Sequence, residues 1–125
     1  MRIIVADDDP VFANMIKEHL EDTGHSAEIA ADGKILLETA KASPPDLIIL
    51  DLAMPGIKGS SAPTMLKLNS KTYSVPIIVV SGRSKHAIET MVDPFSAVAV
   101  LTKPVKMPEL DDIIRKVESD RQSGT

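Results

Sequence analysis

Five short apolar runs rich in Val, Ile and Leu recur along the chain, at Ile3 to Ala6, Ala27 to Ala30, Leu47 to Leu50, Ile77 to Val80 and Ala97 to Leu101. They read as buried strands. Between them the apolar period lengthens to three or four residues, most clearly at Phe12, Ile16 and Leu20 with Met15 beside them, and at Leu110, Ile113, Ile114 and Val117. Strands alternating with helices predict a parallel sheet, because right-handed crossovers lay the helices over both of its faces. The expected class is therefore α/β, doubly wound. In such sheets ligands bind beyond the carboxyl ends of the strands, so the residues that follow each run are the ones to inspect for chemistry.

Turn and cap residues agree with that division. Asp9-Pro10 supplies an N-cap and a first-turn proline for the first helix, and Gly24 stands where that helix should stop. Asp32-Gly33 opens a second helix and Ser43-Pro44-Pro45 closes it. A third helix is expected from about Ser60 to Leu68, with Pro63 tolerated in its first turn. A fourth follows Ser84. Pro108 fits the first turn of the last helix, which is expected to fade into a polar tail, Ser119 to Thr125, leaving residues 1–118 as the folded domain.

At 125 residues the chain is one domain with enough length for a core of its own. It has no cysteine, which excludes disulfides, thiolate metal sites and a thiol nucleophile, and fits a reducing compartment, the cytoplasm being expected. The apolar run after Met1 is too short for a signal-peptide core. The longest apolar candidates, Val75 to Val80 and Phe95 to Leu101, fall well short of the roughly 18 residues of a membrane span, so no membrane insertion is expected. Fourteen basic against eighteen acidic side chains give a net charge of -4, and Phe12, Tyr73 and Phe95 are the only aromatics. Neither a basic surface nor a base-stacking platform is on offer, so direct nucleic-acid binding is not expected.

At the strand ends stand Asp7 and Asp8 after the first run, Asp51 after the third, Ser81 after the fourth and Lys103 after the fifth. Asp9 is accounted for as a helix cap, and Asp7 and Asp8 cannot cap the same helix as well. On this topology three carboxylates, a hydroxyl and an ammonium converge on one edge. Gathered carboxylates repel, and a protein tolerates that where a cation sits or a proton is shared. With oxygen donors only, the cation should be hard, and Mg²⁺ suits a site with few protein ligands and several waters. A carboxylate held against such a cation and a lysine is a nucleophile toward phosphorus, so the cluster reads as phosphoryl-transfer machinery.

The runs "IIVADDDP", "PDLIILDLAMPGIKG", "VPIIVVSG" and "LTKPV" resemble, in order and separation, the signature blocks of response-regulator receiver domains of two-component signalling. The likeness extends from Arg2 to about Val117. It implies a flavodoxin-like five-stranded fold with strand order 2-1-3-4-5. It also implies that Asp51 is the phosphoacceptor, that Asp7, Asp8, Asp51 and the main-chain carbonyl of Ala53 bind Mg²⁺ (or Mn²⁺), that Ser81 is the switch hydroxyl, and that Lys103 pairs with the phosphoryl group. The implied partners are a sensor histidine kinase or histidine phosphotransfer protein and a downstream protein effector; the module is a switch and not a metabolic enzyme. A cis peptide at Lys103-Pro104 and a sharp turn at Met54-Pro55-Gly56, with Gly59 beyond, belong to the same pattern.

The sequence departs from that pattern at Val100, where receivers usually carry Tyr or Phe, and at Val105, commonly Phe. The site is complete while the usual output face is altered. Ala53 and Arg83 occupy positions where the family varies side chains that tune dephosphorylation. His19, His25 and His86 read as surface or boundary residues without a catalytic role, and the six methionines as core and loop fillers. A phosphohydrolase of the haloacid-dehalogenase type also uses an aspartate with Mg²⁺, but carries a D-x-D pattern after its first strand; here the nucleophile follows the third. A scaffold that keeps the fold unphosphorylated is the remaining alternative.

Overall fold

In the computed structural model the described residues are 1–52, 62–82 and 97–122. Ala53, the Met54-Pro55-Gly56 turn, Gly59, Arg83, His86 and the helix expected after Ser84 lie outside them. Along the chain run β1 (Arg2–Ala6), α1 (Pro10–Asp22), β2 (Ser26–Ala30), α2 (Gly33–Ala42), β3 (Leu47–Asp51), α3 (Ala62–Leu68), β4 (Ile77–Ser81), β5 (Ala99–Thr102) and α4 (Met107–Gln122). The five strands form one parallel sheet in the order β2-β1-β3-β4-β5. The expected doubly wound, flavodoxin-like architecture is the one found.

The helix ends are made by the residues expected to make them. Asp9 has extended backbone, and its Oδ1 accepts the N–H groups of Val11 and Phe12 at 3.0 and 3.4 Å, while Pro10 takes the first helical position, where no N–H is missed. Gly24 follows the end of α1 with φ +96°, a left-handed conformation that glycine adopts at no steric cost. Asp32 caps α2 by accepting the Ile35 N–H at 2.8 Å. Ser43 ends it, ahead of two prolines that cannot continue a helix.

Because strand side chains alternate between faces, each central strand feeds two cores. Ile4, Ile48, Leu50, Ile77 and Val79 pack with Leu36, Leu37, Ala40 and Leu66, beneath α2 and α3. Ile3, Val5, Leu47, Ile49, Ile78 and Val80 pack with Ala13, Ile16, Leu20, Leu110, Ile114 and Val117, beneath α1 and α4. The central strands β1, β3 and β4 are buried on both faces; β2, at one edge, exposes Ser26 and Glu28, and β5, at the other, leaves Ala99 and Val100 half-buried.

Several boundaries differ from the sequence reading. β3 and β4 each run one residue further, so that Asp51 and Ser81 end their strands and remain in register with the sheet. β5 starts at Ala99 and not Ala97; Val98 donates its N–H to Ile77 O at 2.8 Å but turns a mostly exposed side chain outward. α4 continues to Gln122, through the expected tail, so the expected division after residue 118 falls inside the helix. Past Val117 the helix leaves the core and hydropathy no longer marks it; Arg121 instead pairs with Asp46 at 2.8 Å.

Leu36→Ala, which empties a fully buried site remote from the strand ends, is expected to cost about 2–5 kcal/mol, whereas Leu68→Ala on the exposed face of α3 should stay within about 0.5 kcal/mol. Urea unfolding with a shared m-value checks both.

Candidate functional site

The parallel sheet brings every strand's carboxyl end to one edge, and the alternation that divides the cores also divides the polar residues there. Asp51 continues the row of Leu47 and Ile49 on the α1 and α4 side; Asp7 follows Ile3 and Val5, and Lys103 follows Leu101, toward the same side. Ser81 falls instead in the row of Ile77 and Val79.

Main-chain bonds fix where each side chain starts. Asp7 N–H donates to Ala30 O at 3.1 Å, Leu52 N–H to Val80 O at 3.3 Å, and Lys103 N–H to Ser81 O at 2.8 Å. The Lys103-Pro104 peptide is cis. Asp7, Asp8 and Asp51 each offer a carboxylate oxygen within 4.8 Å of the others. Into this group Lys103 extends its ammonium, donating to Asp7 Oδ2 at 3.0 Å and to Asp51 Oδ2 at 3.4 Å. Asp7 and Asp51 are 2% and 5% exposed, so their charges are largely withdrawn from water, while Asp8 stands exposed at the rim.

These surroundings shift two groups. Burial pushes the Asp7 carboxyl above its ordinary 3.8; the Asp9 N–H on Oδ1 at 2.8 Å and the Lys103 ammonium pull it back, and the Asp51 charge pushes it up again. For Lys103 burial favours the neutral amine, yet the hydrogen bond to Asp7 and the charges of Asp51 and Asp7 together outweigh it, holding the ammonium above its ordinary 10.5. The lysine is a cation throughout the neutral range.

Of the residues named from sequence, Asp7, Asp8, Asp51 and Lys103 come together, Ser81 lies buried at the same edge, and Ala53 is outside the described residues. The three oxygen donors, without nitrogen or sulfur, fit a Mg²⁺ site. The apolar period places Phe12 in the stripe of α1 that faces the core, yet its ring centroid lies 4.3 Å from Lys103 Nζ. Its place in the first turn, beside the aspartates, was the available signal. Two histidines join other elements to α4: His19 Nε2 lies 2.8 Å from Asp111 Oδ1, and His25 Nε2 lies 3.8 Å from Glu118 Oε1.

The chain is thus a doubly wound α/β domain whose central strand ends in an aspartate, with two more and a lysine beside it. The family model of the response regulator receiver domain matches residues 3–115. The chain belongs to that family, the receiver domains of two-component signalling. Protein PilH of Pseudomonas aeruginosa is 30% identical over 104 residues, covering 83% of this chain and 86% of that protein. The DNA-binding dual master transcriptional regulator RpaA of Synechocystis is 30% identical over 111 residues, 87% of this chain but 45% of its own length. The signal receiver domain of a histidine kinase from Syntrophus aciditrophicus superposes with a TM-score of 0.87 at 27% identity, over 95% of this chain and 90% of that one.

The raised Asp7 pKa has a signed consequence. The folded state binds the proton more tightly than the unfolded chain, so stability falls as pH rises from 3.8 through the elevated value. Asp7→Asn removes that titration. In EDTA its stability relative to wild type is expected to rise as the pH climbs from the ordinary 3.8 through the elevated value, then level off; melts at pH steps from acid to neutral check it, and a constant difference would contradict the shift.

Proposed function

We propose that the chain accepts a phosphoryl group on Asp51 from the phosphohistidine of a sensor histidine kinase or histidine phosphotransfer protein, with Mg²⁺ required and Mn²⁺ able to replace it. The observation that carries this reading is the convergence itself: an aspartate ending the central strand, an ammonium 3.4 Å from it, and two further carboxylates within 4.8 Å. Asp7, Asp8, Asp51 and the Ala53 carbonyl would hold the cation. Bound there, it supplies positive charge to the transferring phosphoryl oxygens.

In the transfer one Asp51 oxygen attacks phosphorus. A P–O bond forms as the P–N bond to the donor imidazole breaks, and the nitrogen keeps the electron pair. Lys103, held by Asp7, then pairs with a phosphoryl oxygen, and the Ser81 hydroxyl hydrogen-bonds another. Pairing with Ser81 moves the end of β4, and through it Gly82 and the segment beyond, which changes affinity for a downstream protein effector. Val100 offers neither a ring nor a hydroxyl to report the state of Ser81. It is half-buried against the core beneath α2 and α3, so the signal travels through backbone and packing. The module works in the cytoplasm, as a switch and without turnover of a metabolite. The net charge of -4 favours a protein effector over direct nucleic-acid contact. Among the described residues no helix is long and apolar enough to cross a membrane.

With acetyl phosphate and Mg²⁺ the wild type is expected to gain a phosphoryl group that maps to the peptide containing Asp51 and is absent from Asp51→Asn. Labelling of Asp51→Asn to wild-type extent would refute the assignment.

Cation binding can be measured without any phosphoryl donor. A ligand at about a hundred times its Kd stabilises the folded state by about 2.7 kcal/mol, and melts in Mg²⁺ against EDTA should show that gain for wild type. Asp8→Asn, which loses one of the three charged donors, should lose most of it; an equal response to Mg²⁺ in both proteins would remove Asp8 from the site.

A further inference from the structure

Asp9 and Pro10 fix the start of α1, and this places Phe12 in the first helical turn, on the side of the sheet toward which Asp7, Asp51 and Lys103 are directed. Phe12 is half-buried and packs against the core beneath α1 and α4, yet its ring also meets the Lys103 ammonium at 4.3 Å from the centroid. Among the described residues the ammonium thus has two kinds of neighbour: the carboxylates of Asp7 and Asp51, at 3.0 and 3.4 Å, and an aromatic face. Packing alone would be served by any apolar side chain of that size. An aromatic face adds attraction for a cation, which an aliphatic side chain does not.

We infer that Phe12 is a positioning residue for phosphoryl transfer, holding the Lys103 ammonium at the mouth of the acidic pocket while its oxygen partners change. This assignment rests on Asp51 being the phosphoacceptor. Before transfer the ammonium pairs with carboxylate oxygens of Asp7 and Asp51. As the Asp51 oxygen bonds to phosphorus and the donor's bond breaks, the negative charge opposite Lys103 moves outward onto the phosphoryl oxygens. A carboxylate hydrogen bond is directional and would have to be broken and remade. Attraction to the ring quadrupole depends chiefly on the ammonium staying over the ring face, so it persists while the ammonium pivots between oxygens. The ring also covers one side of the ammonium of a lysine whose side chain remains 26% exposed, which opposes its swinging into solvent.

The experiment compares Phe12→Leu, which keeps apolar bulk without a ring, with Phe12→Tyr, which keeps the ring face, each also made in a Lys103→Met background. Three quantities are read: the rate of Asp51 phosphorylation by acetyl phosphate at saturating Mg²⁺, the Mg²⁺ concentration giving half that rate, and the proton shifts of the Lys103 ε-methylene group. Phe12→Leu is expected to lower the saturated rate about fivefold, with half-saturation unchanged, and Phe12→Tyr to restore it to within about twofold. In the Lys103→Met background Phe12→Leu should have no further effect. The ε-methylene protons should be ring-shielded in wild type and Phe12→Tyr and return to ordinary lysine positions in Phe12→Leu. Equal losses in the Leu and Tyr variants, an undiminished Leu effect without Lys103, or a methylene shift unaltered in Phe12→Leu would each overturn the inference. A wild type that takes up no phosphoryl group would sink the reading of Asp51 itself. The methylene shift tells that failure from this one, because it reads the ring against the lysine with no phosphoryl group present.

Discussion

The ammonium of Lys103 stands between two buried carboxylates that would otherwise face each other and a third across less than 5 Å. Two unit charges about 4 Å apart at a partly buried site repel by about 4 kcal/mol, a large share of the roughly 5–15 kcal/mol that holds a domain folded. Lys103 offsets part of this; the elevated pKa of Asp7 comes from its burial first, with the Asp51 charge adding to it. The rest must come from elsewhere in the molecule. Two cores, one on each face of the sheet, carry a stability cost that the polar edge imposes and a single-faced sheet of this length would be hard pressed to meet.

The architecture that meets the cost also creates the site. Parallel strands end at one edge, and pairing in register sets their ends side by side, Asp51 against Val80 and Ser81 against Thr102. Consecutive aspartates then acquire different work. Asp7, directed inward, is buried and bonded to Lys103; Asp8 stands at the rim; Asp9 turns back to cap α1. No difference in side-chain chemistry separates the three, only the direction the backbone gives each of them as it leaves β1 and enters the helix.

Family membership and altered positions bear on different parts of the molecule. The acidic edge and its lysine keep the receiver pattern, while Val100 and Val105 sit along and just beyond β5, packed toward opposite cores. Phosphoryl chemistry depends on charges at fixed positions, which those substitutions leave alone. Relay of a signal under the proposed function would depend on packing, which they change. A receiver can therefore keep its chemistry and differ from its relatives in how it is read.

The sequence by itself determined the class of fold, because runs apolar on both faces can be buried only between two helical layers, and it determined the helix ends, because Asp-Pro, Asp-Gly and Gly24 act on the backbone within a few residues. It also named Asp7, Asp8, Asp51 and Lys103, since topology alone sends strand-end residues to a common edge. What tertiary structure decided depends on distance between residues far apart in the chain. The reach of Lys103 across to β1 and β3, the elevation of the Asp7 pKa, and the meeting of Phe12 with that lysine all span some 50 residues or more of sequence. So does the extension of α4 to Gln122, where the helix has left the core and Arg121 finds Asp46 instead. Hydrophobic period reports which face of a segment is buried; it carries no information on what lies against that face, and Phe12, apolar and in phase, looked like core until the fold set a cation over its ring.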